Sequence, residues 1–510
     1  MEEKLNNSLK LIAKSTFIVF LGLLISKILS YAYRIIIARE FGAEVYGFFS
    51  ISIMLVGWLY TFSCLGLSEG LLRFIPYYRN KNHGKISQIF RFSLISSSIA
   101  GLIAGFLMFF YADFIAIKIF HNSGLIPFFK LFSIAVPLSV ITQIFFSSIR
   151  AFEKIAWYSF IVNILQNVVK VSVLLLFILF FKTSSSIGIS YILGIVSMLF
   201  VAYFFCRYKI PELFLRKKHI KGINKELFLY SLPLIFSVVI ASILGWIDTF
   251  FVGYFKTATD VGVYNVALPI AGILAFTPFL FMQLFFPLIS REYSNKNLDL
   301  IKQLSKQVGK WIFLINLPLL VIFILFPGVI INLLFGSQYL AAETALIILS
   351  FGFFFISQAD ISRQLLNMAK KPHLGMIDIA LAAVLNIVLN ISLVPKLGFI
   401  GAALSTTISY FFYGFLLMIQ SYYYLKIIPL RRKMLHVLIS VIVSAFALLI
   451  IRSLIKINLV NISIAALFFF LFYFLLLFIT KSLDKNDYLI LNSVKNKLAG
   501  IKISNLFHQI

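Results

Sequence analysis

Apolar runs of some twenty residues, separated by short polar stretches, recur along the chain from one end to the other. An α-helix needs about that length to cross the roughly 30 Å hydrocarbon core of a bilayer. Fourteen such runs are read: 11–33, 45–68, 90–111, 125–149, 156–181, 187–206, 227–251, 261–287, 311–330, 344–366, 374–394, 398–422, 434–451 and 459–480. They are continuous and do not alternate over ten-residue segments, which excludes an outer-membrane barrel. The first, Leu11 to Tyr33, is too long for a signal-peptide core and has no small-residue cleavage site, so it is expected to stay as helix 1. The pattern predicts an all-α polytopic membrane protein.

Composition agrees: of 510 residues 61% are hydrophobic and 12% charged, against about 25% charged in a soluble domain. A net charge of +27 raises the question of nucleic acid. Its distribution answers otherwise. With the N-terminus inside, alternate segments carry 34 Lys and Arg against 9 on the opposite side, with Lys27 and Lys170 inside spans. That is the positive-inside bias of a membrane protein, and it predicts cytoplasmic termini and no nucleic-acid partner. Cys64 and Cys206 lie in apolar runs, and neither CxxC nor HExxH occurs, so no metal or disulfide framework is expected.

The most basic connection, 207–226, holds Arg216, Lys217, Lys218 and Lys221 and divides the chain into two six-helix lobes, 1–206 and 227–422. Helices 13 and 14 (423–480) and a basic cytoplasmic tail (481–510) follow. Two matches support an internal repeat. Glu44–Phe49 resembles Asp260–Asn265, pairing Gly47 with Gly262 at an offset of 215, and Phe152–Asn163 resembles Ala369–Ala380, pairing Lys154 with Lys371 at 217. Six helices per copy preserve sidedness, so the pseudo-twofold axis runs along the membrane normal.

Charges inside spans are expensive and mark cavities or partners. Lys27 and Arg34 share a face of helix 1 with Ser30 and Tyr31, ahead of a charged turn at Arg39-Glu40 and two glycines, Gly42 and Gly47. Lys27 is too deep to snorkel, whereas Arg34 either lines a cavity or reaches headgroups. On helix 5, Asn163, Gln166, Asn167 and Lys170 form one polar stripe. The acids lie later in the chain. Asp248 and Asp378 have no local partner, and Asp360 stands three residues before Arg363, as a neutralising pair or in a transport role. Asn386 and Asn390 follow Asp378 on a neighbouring stripe, and Pro269, Pro278 and Pro287 make helix 8 the bent one. A net-cationic first lobe suits phosphate groups; acids in the second could couple transport to a cation.

The stretch Tyr33–Ser52, with Ala38, Arg39, Gly42, Tyr46 and Gly47, resembles the helix 1–2 junction of the polysaccharide flippases. Asp248 with Gly262, Tyr264 and Asn265 resembles the same family's second half. These flippases belong to the superfamily of multidrug, oligosaccharidyl-lipid and polysaccharide exporters. The resemblance spans the whole chain and implies a flippase of the prokaryotic cytoplasmic membrane, not an enzyme. It would move polyprenyl-pyrophosphate-linked oligosaccharide through a central cavity by alternating access, for synthesis of a surface polysaccharide or glycoconjugate. Lys27, Arg34, Asn163, Asn167 and Lys170 would bind substrate; Asp248, Asp360 or Asp378 would carry a coupling H+ or Na+, with no other cofactor and no metal. Expected partners are the lipid-linked oligosaccharide, membrane lipids, and a glycan polymerase or glycosyltransferases. The competing readings are a lipid II-type precursor flippase, a cation-coupled multidrug antiporter, and a membrane glycosyltransferase or polymerase. Short loops without paired acids disfavour the last.

Overall fold

A computed structural model describes residues 2–79, 81, 83–215, 222–454, 459–480, 482–484 and 487. Arg216, Lys217, Lys218, Lys221 and nearly all of the 481–510 tail lie outside the described residues. Among these the chain is helical, and twelve helices are long and apolar enough to cross a membrane.

The helices are α1 (Glu2–Ser63), α2 (Leu67–Tyr78), α3 (His83–Phe110), α4 (Leu125–Ala151), α5 (Ile155–Phe180), α6 (Ser185–Lys209), α7 (Ile223–Phe255) and α8 (Ala258–Ser294). Then come α9 (Leu298–Leu325), α10 (Glu343–Met368), α11 (Pro372–Leu397), α12 (Phe399–Leu425), α13 (Lys433–Leu454) and α14 (Leu459–Ile479).

One difference from the fourteen expected spans has a physical cause. The first two runs form one helix whose apolar part, Leu24–Ser63, has 40 residues. At 1.5 Å per residue that is about 60 Å, enough chain for two crossings. The break comes at Gly42 (φ 82°, ψ 176°), a conformation that a Cβ resists, while Arg39 and Glu40 stay helical. At the far end, α14 runs over 21 residues, Leu459–Ile479, the length of a crossing.

The chain divides into two compact units. One comprises Gly22–Asn265 with Ile387–Ala402; the other comprises Val266–Asn386 and Ala403–Ile510 together with Met1–Leu21. In the first, α3 packs on α4, and α6 packs on both α4 and α5. Its connections sort by parity. Glu40 pairs with Lys182 at 3.1 Å, and Asn122 donates to Glu44 at 3.5 Å. Arg79 pairs with Glu153 at 3.3 Å, and Arg91 donates to the Leu215 carbonyl at 2.8 Å. Each contact joins connections that the charge count assigns to one side.

In the second unit, α9 packs on α10 and α13, and α13 on α14. Phe285, Leu304, Val308, Ile312 and Leu365 make the centre of one apolar cluster there.

Candidate functional site

The prolines of α8 free backbone carbonyls, because a proline offers no N–H to the residue four before it. Pro269 frees the Asn265 carbonyl, which accepts from the Tyr46 hydroxyl at 3.0 Å. Pro278 frees that of Leu274, which accepts from Asn316 Nδ2 at 2.8 Å. Side chains from other helices thus replace the missing helical bonds.

Tyr46 is fully buried, and its hydroxyl also accepts from Arg34 Nη1 at 3.4 Å. Small residues make that approach close. A Cβ on Gly47 would stand 1.8 Å from the Ala258 carbonyl oxygen, and one on Gly262 would stand 2.0 Å from that of Ala43. Ala43 and Ala258 are themselves 215 residues apart, as are Gly47 and Gly262. Two Ala-x-x-x-Gly segments therefore cross reciprocally, each glycine beneath the other segment's alanine. The sequence match found the glycines; the small-residue spacing that makes them a contact went unnoticed.

Around this crossing the first unit gathers its cations. The Lys170 ammonium lies 5.1 Å from the centre of the Tyr33 ring, within cation–π range. Tyr33 is itself fixed, donating to the Ile187 carbonyl at 2.8 Å and sharing a hydrogen bond with Ser190 at 3.0 Å. Arg34 has the phenols of Tyr31, Tyr46 and Tyr191 around it, and its charge reaches both Lys27 and Lys170. Lys27 is exposed, Arg34 half-buried and Lys170 buried. The Arg34 side chain reaches the Tyr46 phenol.

The stripe on α5 is less regular than its spacing suggests. Phe160–Leu165 is π-helical, which shifts the phase of what precedes Gln166. Asn163 and Asn167 still converge, since Ser26 donates to Asn163 Oδ1 at 3.3 Å and receives from Asn167 at 3.4 Å. Gln166 turns instead into a cavity of about 230 Å³, lined also by Tyr60, Thr142, Gln143, Tyr191 and Trp246. Ligand pockets run to roughly 300–1,000 Å³, so it is sized for a phosphate or one sugar, not a whole oligosaccharide. Apart from Gln166, these uncharged polar lining residues escaped notice because one polar atom in an apolar run carries no periodic signal.

The three acids have different settings. Asp248 is not alone: Tyr264 donates to one oxygen at 2.7 Å and Asn390 to the other at 2.9 Å. Asp360 accepts from Arg363 Nε at 2.7 Å, the i, i+3 pair expected. That pair lines a cavity of about 500 Å³ in the second unit, with Ser357, Pro278 and Pro287. Asp378 accepts from Gln420 at 2.8 Å. Asn386 donates to Thr406 at 3.4 Å. Among the described residues, no group of three or more His, Cys, Asp or Glu could hold a metal ion.

The sequence profile described as "Polysaccharide biosynthesis protein" matches residues 12–292, and the MatE profile matches 233–392. An uncharacterized membrane protein of Methanocaldococcus jannaschii is 26% identical over 399 residues, 75% of this chain and 78% of that protein. A candidate O-antigen transporter of Shigella flexneri is 26% identical over 347 residues, 64% of this chain and 77% of its own length. Among solved structures, the lipid II flippase MurJ in an inward closed conformation superposes with a TM-score of 0.73 at 18% identity. It covers 90% of this chain and 99% of MurJ. An inward-facing multidrug resistance transporter of the MATE family superposes at 0.63 and 14% identity, over 79% of this chain and 94% of its own. At such identities the likeness is one of fold. The polysaccharide profile covers more than half of the sequence, and the chain belongs to the polysaccharide biosynthesis protein family, as a multi-pass integral membrane protein of the multidrug, oligosaccharidyl-lipid and polysaccharide exporter superfamily.

Proposed function

We propose that this protein flips a polyprenyl-pyrophosphate-linked oligosaccharide across a prokaryotic cell membrane, supplying surface polysaccharide or glycoconjugate synthesis. The observation that carries the reading is the cluster of Lys27, Arg34 and Lys170 in one unit, where Arg34 and Lys170 rest on phenols. Phenols orient a cation without neutralising it, so the charge stays available to a dianionic pyrophosphate. Arg34, with a planar fork of donors, suits a phosphate best. Asn163 and Asn167 offer amides to sugar hydroxyls, and the polyprenyl chain stays in lipid.

In this reading fourteen helices cross the membrane as two six-helix lobes and a C-terminal pair, both termini are cytoplasmic, and transport proceeds by alternating access. The protein performs no bond chemistry. A glycan polymerase or glycosyltransferases would act before or after it. The likeness to MurJ keeps a lipid II-type precursor as the second reading, because its pyrophosphate asks for the same cations.

The test is charge reversal. Lys27→Glu and Arg34→Glu, each checked for folding by its melting curve, should abolish export while lipid-linked precursor accumulates on the cytoplasmic side. Normal export by both variants overturns the assignment. Reconstituted vesicles offered either an undecaprenyl-pyrophosphate oligosaccharide or lipid II then separate the two substrates.

A further inference from the structure

Asp378 lies on α11, only 2% exposed, beside the apolar cluster that includes Ala382 and Leu417, with Leu374 and Ile379 packed against it. Gln420, from α12, donates its Nε2 to Asp378 Oδ1 at 2.8 Å. This leaves Asp378 Oδ2 and Gln420 Oε1, both buried and both without a hydrogen-bond partner among the described residues. A buried acceptor with no donor is costly, and a buried carboxylate with a bare oxygen more so. Two such atoms belonging to one interacting pair call for one explanation. Turning the amide over does not help, because it would set Oε1 against Oδ1 and lose the bond already made.

A single proton would serve both atoms. Placed on Oδ2, it would donate to Oε1, while Nε2 continues to donate to Oδ1. A carboxylic acid and a primary carboxamide are complementary in just this cyclic, two-bond manner. The other two acids differ. Asp248 has a donor on each oxygen, and Asp360 has its guanidinium, so both are served as carboxylates. We propose that the Asp378–Gln420 pair is a proton-binding site, holding a neutral carboxylic acid closed on a carboxamide.

The titratable and charged surroundings fit. From α12, Tyr413 lies within electrostatic reach of Asp378; from α10, Asp360 and Arg363 reach Tyr413 as a mutually neutralising pair. Parting α12 from α11 at this pair would admit water to the Asp378 carboxyl, solvate its charged form and favour loss of the proton. The pair would thereby link protonation to the spacing of α11 and α12, and give the flippase a coupling ion. That last consequence rests on the proposed function; the protonation does not.

Infrared spectroscopy of the full-length protein in lipid at pH 7 tests the site without requiring transport. Wild type should show a protonated carboxylic C=O band that disappears in Asp378→Asn. In Gln420→Leu the band should move to higher frequency as its hydrogen bonds are lost. Asparagine keeps the shape and both bonds, since its Nδ2 donates to Gln420 Oε1, so the variant should melt as wild type does. Identical acid-region spectra for wild type and Asp378→Asn overturn the proposal. So does a band that vanishes when choline is replaced by sodium, which would assign an alkali cation to the site. In vesicles, Asp378→Asn should lose any response of glycan transport to an imposed pH gradient. If no lipid-linked glycan is moved at all, the infrared result still stands, so the two failures are distinguishable.

Discussion

The Tyr46 hydroxyl accepts from Arg34 and donates to the carbonyl that Pro269 leaves free. Removing it strands a buried carbonyl, at a cost of about 1–3 kcal/mol. Tyr46→Phe should therefore lower the melting temperature of the purified protein. In a Pro269→Ala background, where the new N–H can serve Asn265, the same change should be milder. Equal losses in both backgrounds would show that the carbonyl is not what Tyr46 serves.

At the scale of elements, the two Ala-x-x-x-Gly segments set how closely helices approach. Gly47→Ala and Gly262→Ala drive a Cβ into backbone, with no flexible side chain to yield, and should each destabilise by about 1–3 kcal/mol. Gly245 is the control, with nothing within 4 Å of its added Cβ. Gly245→Ala should stabilise by about 0.5–1 kcal/mol through helix propensity alone. Thermal melts of the three variants decide the matter; a destabilised Gly245→Ala would show that glycines are needed for flexibility and not for contact.

For the molecule as a whole, the segment after α14 is tied down by charge. Lys310, on α9 and fully buried, meets Asp487 at 2.5 Å and Asp484 at 3.1 Å. Trp311 and Gln307 also donate to Asp487, at 2.8 and 2.7 Å. Asp487→Ala leaves a buried ammonium short of its nearest partner and should cost about 3–5 kcal/mol. Truncation after Thr480 should cost at least as much.

Burial alone would raise the Asp484 carboxyl, but Lys433, Lys310 and Arg431 hold it below its ordinary value of 3.8. A carboxyl lowered by folding stabilises above its unfolded value and loses that contribution as pH falls through the folded one. Wild type should therefore lose stability below pH 3.8 in a way that Asp484→Asn does not, while this group makes no difference between pH 7 and 5. Sidedness belongs to this scale too. A C-terminal fluorescent fusion should glow and a C-terminal alkaline phosphatase fusion should be inactive; the reverse would place the tail outside.

The membrane class and the helical runs were legible in sequence, because hydrocarbon imposes one length and one polarity on whatever crosses it. So was the Asp360–Arg363 pair, a matter of spacing on a single helix. Lys310 was countable only as a loop cation, since nothing local announces that Asp487 covers it from 177 residues away. Asp378 and Asp248 looked alike in sequence, each an acid without a neighbour. Only the helices packed against them decided that one has donors on both oxygens and the other is left with a bare one. Periodicity along one helix is written in the chain; which donor faces which acceptor across two helices is set by how they pack, and that is where this protein's charges acquire their roles.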